Sequence, residues 1–303
     1  CSSWYYLRYL DPNNSKEPFS KKYLNWMPVD CYVGGAEHAT MHLLYARFIT
    51  KALRDLKFID FDEPFKKLYH QGTITKDGAK MSKSKGNTVA PDQFIETYGS
   101  DIFRIYLMFM GPYDEGGDWN DKGIKGIDRF LKKVWKIISL PNANKDDEKT
   151  TQLMNKTIKI VTSNLEKMIF NTSISRLMEF VNHLSQHKEV SLSLKENLTL
   201  LLSPLSPHFS EEIWEKIGHK ESIFSTPWPD YDASNIESNN LTIIVQINGK
   251  LRANFEIEKD QSRELVLNQA KSLDKIQKYL KDSELIKEIY IPNKLINFVV
   301  KNK

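Results

Sequence analysis

The residues best suited to chemistry form one run: Lys80-Met81-Ser82-Lys83-Ser84-Lys85-Gly86-Asn87. Three lysines and two serines fall within six positions, and a Gly-Asn pair follows. A loop of this kind sets several cations beside an anion. Its small residues let backbone come close, and its hydroxyls add hydrogen bonds. Triphosphate is the matching target, because negative charge builds on its bridging and leaving oxygens during displacement. A lysine run is also what an ordinary solvated surface looks like, so the neighbouring elements must decide between the two.

A second group lies upstream. Met27 to Val33 reads as a short buried strand that runs into Gly34-Gly35, and a helix is predicted from Glu37 to Phe48. Strand, glycine turn and helix N-terminus make the ligand-binding corner of an open parallel sheet. The Gly-x-Gly-x-x-Gly dinucleotide spacing is absent, and so is a phosphate-cradling P-loop. Glu37 has two readings: a carboxylate for ribose hydroxyls, or a charge that complements the helix dipole. His38 and His42 stand at zinc-binding spacing. The order is Glu-His-x-x-x-His with no third ligand nearby, so a packed or substrate-contacting pair is expected and no metal site is predicted. Trp4, Tyr5, Tyr6 and Tyr9 crowd the first ten residues. They suit a core helix start or an aromatic-walled pocket for a small apolar ligand.

The elements that must hold these groups follow from punctuation. Gly72 and Asp77-Gly78 bracket a short strand and turn just before the lysine loop. Helices are predicted around Pro91–Glu96 and over Gly99–Met108, ended by Gly111-Pro112. From about Gly123 to Ile223 the pattern is helical. Ile124, Ile127, Phe130, Leu131, Val134, Trp135 and Ile138 mark one apolar face. Further helices are expected over Leu153–Phe170, Ser173–His187 and Leu194–Leu202, and another after Pro207. Past a polar stretch, Leu241–Ile247, Asn248-Gly249 and Lys250–Ile257 read as a hairpin with a type I′ turn. One helix over Arg263–Leu280 and a strand pair, Ile286–Ile291 with Leu295–Val300, complete the chain.

The 303 residues are 40% hydrophobic and 27% charged, which allows more than one core and about two domains as a prior. The net charge of +4 gives no global polycation argument. From Leu241 onward, however, twelve Lys and Arg face eight Asp and Glu, so the whole excess sits in the last unit. That placement favours docking onto RNA backbone. Two cysteines make no disulfide framework and suit a reducing compartment. No apolar run approaches the roughly 18 residues a bilayer span needs. The chain opens at Cys1 in what reads as folded interior, so a piece of a longer polypeptide is expected.

Together these residues carry a resemblance. Lys80-Met81-Ser82-Lys83-Ser84 is similar to the Lys-Met-Ser-Lys-Ser signature of class I aminoacyl-tRNA synthetases at all five positions. Gly34-Gly35-Ala36-Glu37-His38-Ala39, with His42 to Phe48 behind it, resembles the leucyl form of the nucleotide-binding helix; isoleucyl and valyl enzymes carry Asp at the Glu37 position. Ser2-Ser3-Trp4-Tyr5 resembles the leucyl return to the catalytic domain after editing. Trp119–Ile124 and Arg129–Trp135 resemble the junction into its helical domain. The family's His-Ile-Gly-His signature and editing domain are absent. The Gly72–Lys80 connection also lacks the small domain that many bacterial leucyl enzymes insert there.

The resemblance implies a multidomain fold: α/β, then all-α, then α+β. Residues 1–112 would be the C-terminal half of a Rossmann-like catalytic domain, and 113–230 a helical anticodon-binding-type domain. Residues 231–240 would be a linker, and 241–303 a small ββαββ-like tRNA-binding domain. It implies cytoplasmic ATP-dependent leucine activation and transfer to tRNA(Leu), with Mg²⁺ carried by ATP. The missing N-terminal half would come from the same chain or a separate subunit, without which this chain is expected to be inactive. Lys80 and Lys83 would be catalytic. Gly34, Gly35, Glu37, His38, Met81, Ser82, Lys83 and Ser84 would bind ATP. Tyr5, Tyr32 and His42 would face leucine, and Arg129, Lys132, Lys250, Arg252 and Lys294 would meet tRNA. The competing readings are an isoleucyl, valyl or methionyl enzyme, and a non-catalytic tRNA-binding derivative.

Overall fold

A computed structural model describes residues 1–236, 240–258, 261–281 and 283–302. The chain divides into two compact units: residues 1–147 with 156–230, and residues 148–155 with 231–303.

The first unit opens with a short helix α1 (Tyr5–Arg8), strand β1 (Tyr32–Gly34), helix α2 (His42–Asp55) and strand β2 (Leu68–His70). β1 and β2 pair in parallel, Tyr32 opposite Leu68 and Gly34 opposite His70. Tyr6, Leu7, Phe19, Ala46 and Ile59 form the core beneath them, with Val29 and Phe65 packed against it. The strand expected over Met27–Val33 is thus shorter and shifted. Pro28 has no amide for a ladder, and Val29 makes only an isolated parallel bridge to Phe65. The helix expected from Glu37 is also divided. Ala36–Thr40 is a 3₁₀ turn, Met41 leaves helical geometry at φ −128°, ψ −72°, and α2 begins at His42.

The next strands are β3 (Thr73–Lys76), β4 (Ala79–Lys80) and β5 (Gly116–Trp119), in the order β4-β3-β5. β3 and β5 run parallel at close range, because a Cβ on Gly72 or Gly116 would run into the other strand's backbone. Helices α3 (Asp92–Tyr98) and α4 (Ser100–Phe109) lie between β4 and β5 in the chain. Trp119 is buried at the end of β5, with Phe94 and Tyr106 edge-on to its ring.

Five helices follow: α5 (Ile124–Ile138), α6 (Glu148–Glu166), α7 (Phe170–Leu184), α8 (Leu192–Leu202) and α9 (Pro207–Lys216). α5 buries Ile124, Ile127, Phe130, Leu131, Val134, Ile137 and Ile138. Ile137 rather than Trp135 completes that face. The indole instead lies near the surface, with Phe209 close by and the Lys216 ammonium 5.0 Å from its ring centre. α6 and α7 each begin and end earlier than their apolar residues suggest; α6 buries Thr150, ahead of its expected start, which a pattern of apolar positions overlooks. Asp101, in the first turn of α4, accepts a hydrogen bond from the Phe209 amide at 2.6 Å. It lies 3.1 Å from His208 Nδ1. It thereby caps α9, whose own N-cap residue Ser206 makes no side-chain cap bond.

The second unit contains β6 (Asn240–Ile247), β7 (Lys250–Glu258), α10 (Arg263–Ser272), α11 (Asp274–Lys281), β8 (Ser283–Ile291) and β9 (Leu295–Asn302). The sheet order is β7-β6-β9-β8, with β6 and β9 parallel and the outer pairs antiparallel. Asn248 and Gly249 take φ of 50° and 78°, as a type I′ turn requires. Ile243, Val245, Ile296 and Phe298 are buried with Val266, Ala270 and Ile276 of the two helices. The order is therefore ββααββ rather than ββαββ. Leu273, at φ −66°, ψ 125°, breaks the helix expected over Arg263–Leu280 in two. Residues 237–239 of the expected linker lie outside the described residues.

Candidate nucleotide-binding site

The lysine loop grows out of a tight hairpin. Asp77 and Gly78 turn β3 into β4 with φ of 53° and 71°, so Lys76 pairs with Ala79 and Thr75 with Lys80. Lys83–Lys85 forms one 3₁₀ turn, closed by Gly86 in the left-handed region at φ 65°. Asn87 clasps the loop. Its Oδ1 accepts from the Ser82 amide at 2.8 Å, and its Nδ2 donates to the Lys80 carbonyl at 3.3 Å. The Ser82 and Ser84 hydroxyls meet at 2.7 Å. Among the described residues Lys80, Lys83 and Lys85 form no ion pair, and all three are exposed. Three exposed cations, on a loop whose two serine hydroxyls bond each other, fit a polyanionic group.

Gly34 ends β1, and its carbonyl lies 3.1 Å from His70 Nδ1. Glu37 folds back over Gly35, where a Cβ would overlap its carboxylate. His38 lies over Gly34, 3.8 Å from where a Cβ would stand. Gly35 thus leaves room for the Glu37 carboxylate, whereas a Cβ on Gly34 would stand at ordinary contact distance from His38. His38 and His42 face each other edge-on at 6.1 Å across the break before α2. Among the described residues no group of three or more His, Cys, Asp or Glu is placed to hold a metal ion. Magnesium ligands would have to come mainly from phosphate oxygens and water.

Tyr5, Tyr32 and His42 come together. The Tyr32 hydroxyl lies 2.7 Å from His42 Nε2 and hydrogen-bonds the Tyr5 hydroxyl. Tyr5 stacks on His42 at 5.8 Å, and Tyr32 stacks on Phe65 at 3.9 Å and 4°. Burial, and then the Tyr5 hydroxyl, push the Tyr32 phenol far above its ordinary range, so it stays protonated. The result is a half-buried apolar wall with one polar string of two phenols and an imidazole. Among the described residues no hydrogen bond, ion pair or ring contact joins this cluster or Glu37 to the lysine loop.

Sequence reasoning missed Phe65 and Asp118, and it named Asn87 within the lysine run without its clasping bonds. Asn87 sat in view directly after Gly86. Phe65 and Asp118 gain their roles from neighbours far along the chain: Tyr32 for the first and Thr75 for the second, 43 residues away.

The predicted RNA-facing cations are dispersed. Arg129 and Lys132 are exposed on α5, where Lys132 pairs with Asp128 at 2.8 Å. Beside them lies a cavity of about 430 Å³ whose lining includes Ile102, Leu131, Trp135, His208 and Phe209. In the second unit Lys250 follows the β6–β7 turn, Arg252 lies 4.7 Å over the Tyr279 ring, and Lys294 occupies the β8–β9 turn.

The chain is similar to known proteins along nearly its whole length. Residues 2–119 match the family model of tRNA synthetases class I (I, L, M and V), and residues 147–267 match that of the anticodon-binding domain of tRNA ligase. The leucine–tRNA ligase of Petrotoga mobilis is 45% identical over 99% of this chain and 39% of its own length. That of Chlorobium phaeovibrioides is 46% identical over 99% of the chain and 38% of its own. A crystal structure of the ternary complex of Agrobacterium radiobacter K84 agnB2 LeuRS with tRNA and LeuAMS superposes with a TM-score of 0.73. It is 34% identical over 99% of this chain and 42% of that one. The chain thus spans about two fifths of the length of the curated relatives it matches. It carries the lysine loop, the glycine corner and the helical region, and along nearly its whole length it is similar to leucine–tRNA ligases of the class I aminoacyl-tRNA synthetases.

Proposed function

We propose that this chain contributes the lysine-loop side of the ATP site and one wall of the leucine pocket to a cytoplasmic leucine–tRNA ligase. Leucine's carboxylate attacks the α-phosphate of ATP and pyrophosphate leaves; the terminal ribose hydroxyl of tRNA(Leu) then attacks the leucyl carbonyl, taking the leucyl group and releasing AMP. Lys83, with Lys80, meets charge on the leaving pyrophosphate, while Ser82, Ser84 and the backbone at Met81 close the loop around it. Glu37 holds the ribose, His38 borders it, and Gly34 and Gly35 make room for adenosine. Tyr5, Tyr32 and His42 face leucine, their apolar rings taking the side chain. Magnesium bound with ATP neutralises phosphate charge.

Residues 1–112 act as the C-terminal half of a Rossmann-like catalytic domain, 113–230 as the helical tRNA-stem domain, 231–240 as a linker and 241–303 as a tRNA-binding domain. Arg129, Lys132, Lys250, Arg252 and Lys294 meet tRNA backbone. The observation that carries this reading is the clasped loop with three unpaired lysines directly after a fixed hairpin.

The test uses the assembled ligase, this chain together with the segments its relatives carry outside the matched region. Lys83→Ala is expected to lower leucine-dependent pyrophosphate exchange by roughly 10²-fold or more, the scale for losing one transition-state donor. Exchange at the wild-type rate would remove Lys83 from the chemistry. This chain alone is expected to show little or no exchange, and robust exchange would refute the shared-site reading.

A further inference from the structure

The base of the lysine loop is tied to a carboxylate from another part of the chain. Asp118 stands opposite Thr75 in the parallel β3–β5 register. Its Oδ1 accepts from the Thr75 hydroxyl at 2.6 Å and from the Gly78 amide at 3.0 Å. One oxygen therefore spans both the strand and the turn of the hairpin. These bonds, the Thr75 hydroxyl first and the Gly78 amide next, hold the Asp118 carboxyl below its usual range. Asp118 itself sits on β5, which pairs in parallel with β3 from Gly116 to Trp119. The next residue, Trp119, is buried among Phe94 and Tyr106 and donates its indole N–H to Asp121 at 2.6 Å. Lys80 follows Gly78 by two residues, so displacing the turn displaces the start of the loop and the lysines after it.

We propose that Asp118 is a positioning residue for the lysine loop, holding the Asp77-Gly78 turn so that Lys80 and Lys83 start from a fixed base. This rests on the reading of that loop as the pyrophosphate-facing side of the ATP site. Placement within about an ångström governs such electrostatic help, and small misplacements far from the reacting atoms cost up to about 10² in rate.

The test measures two quantities in the assembled ligase: hydrogen exchange of the peptide containing Gly78, and leucine-dependent pyrophosphate exchange. Asp118→Ala is expected to speed exchange at Gly78 about tenfold or more, as loss of a bond to a charged acceptor predicts. It should lower kcat roughly tenfold and leave KM for leucine within about twofold, since the leucine wall lies on other elements. Asp118→Asn keeps an oxygen in place and should restore both readouts to within about threefold of wild type. Thr75→Val, which leaves Asp118 untouched, should give an intermediate change and guards against a misfolded Asp118→Ala. Unchanged Gly78 exchange in Asp118→Ala, or an Asp118→Asn as defective as the alanine, would overturn the latch. If Gly78 responds but the wild type shows no leucine-dependent exchange, the latch stands and the reading of the loop's chemistry fails.

Discussion

Glu63 sits between two cations of one helix. Arg47 of α2 meets it through two bonds of 2.7 Å, and Lys51, one turn on, stands at 3.3 Å. The Arg47 bonds chiefly, helped by Lys51, lower the Glu63 carboxyl from 4.5 to about 2. A depressed folded pKa means the interaction is fully present above the unfolded value of 4.5 and fades as pH falls towards 2. All three side chains are well exposed, so screening limits its worth to at most about 1 kcal/mol. Glu63→Gln is therefore expected to lower the denaturation midpoint slightly at pH 7 and to match wild type near pH 2. An equal difference at both pH values would contradict the ion-pair account. Lys195 is the opposite case. It is buried on α8, bonded to the Leu140 carbonyl at 2.5 Å and Asn142 at 2.7 Å, and burial pushes its ammonium below the ordinary range. The acceptors come from the end of α5, where a cation is favoured by the helix dipole.

Between elements, Asp101 makes the most consequential bond in the first unit. It is nearly buried, and it stands in for the missing cap of α9 while belonging to α4. Asp101→Ala leaves the Phe209 amide without its partner and is expected to cost about 1–3 kcal/mol of stability in chemical denaturation. Asp101→Asn, which keeps an acceptor, should recover part of the loss; equal stability of all three proteins would refute the cap. Such a bond also marks where sequence reading stops. The lysine loop, the Gly34-Gly35 corner and the Asn248-Gly249 turn were legible because their chemistry lies in adjacent residues. The apolar face of α5 was legible by its period, apart from Trp135, which the same period placed on that face although its ring has only partial cover. The partners of Asp101 and Asp118 were not legible, because they lie 107, 108 and 43 residues away and nothing local announces them. The split of the helix after Gly35 escaped for a different reason: residues 37–48 have helical spacing throughout, and the 3₁₀ turn over Ala36–Thr40 and the departure at Met41 lie in the backbone alone.

At the scale of the molecule, positive charge collects in the last segment of the chain. The chain carries +4 overall, and the segment from Leu241 holds that excess by itself. Its cations occupy different parts of one sheet: Lys250 after the β6–β7 turn, Lys294 in the β8–β9 turn, and Arg252 along β7. A dispersed set suits the spaced phosphates of folded RNA better than a single anion, and contacts of this kind release counterions. In the assembled ligase the slope of log affinity for tRNA(Leu) against log salt should become shallower by roughly 0.7–1 for Lys250→Ala and for Lys294→Ala. Arg252→Ala should behave less cleanly, since the same guanidinium covers the Tyr279 ring. Its loss removes a cation–π contact worth about 0.5–1 kcal/mol as well as the phosphate contact proposed for it. Titrations from about 50 to 200 mM potassium chloride resolve these slopes. Parallel lines for Lys250→Ala and wild type would remove that lysine from the RNA interface, whatever their offset.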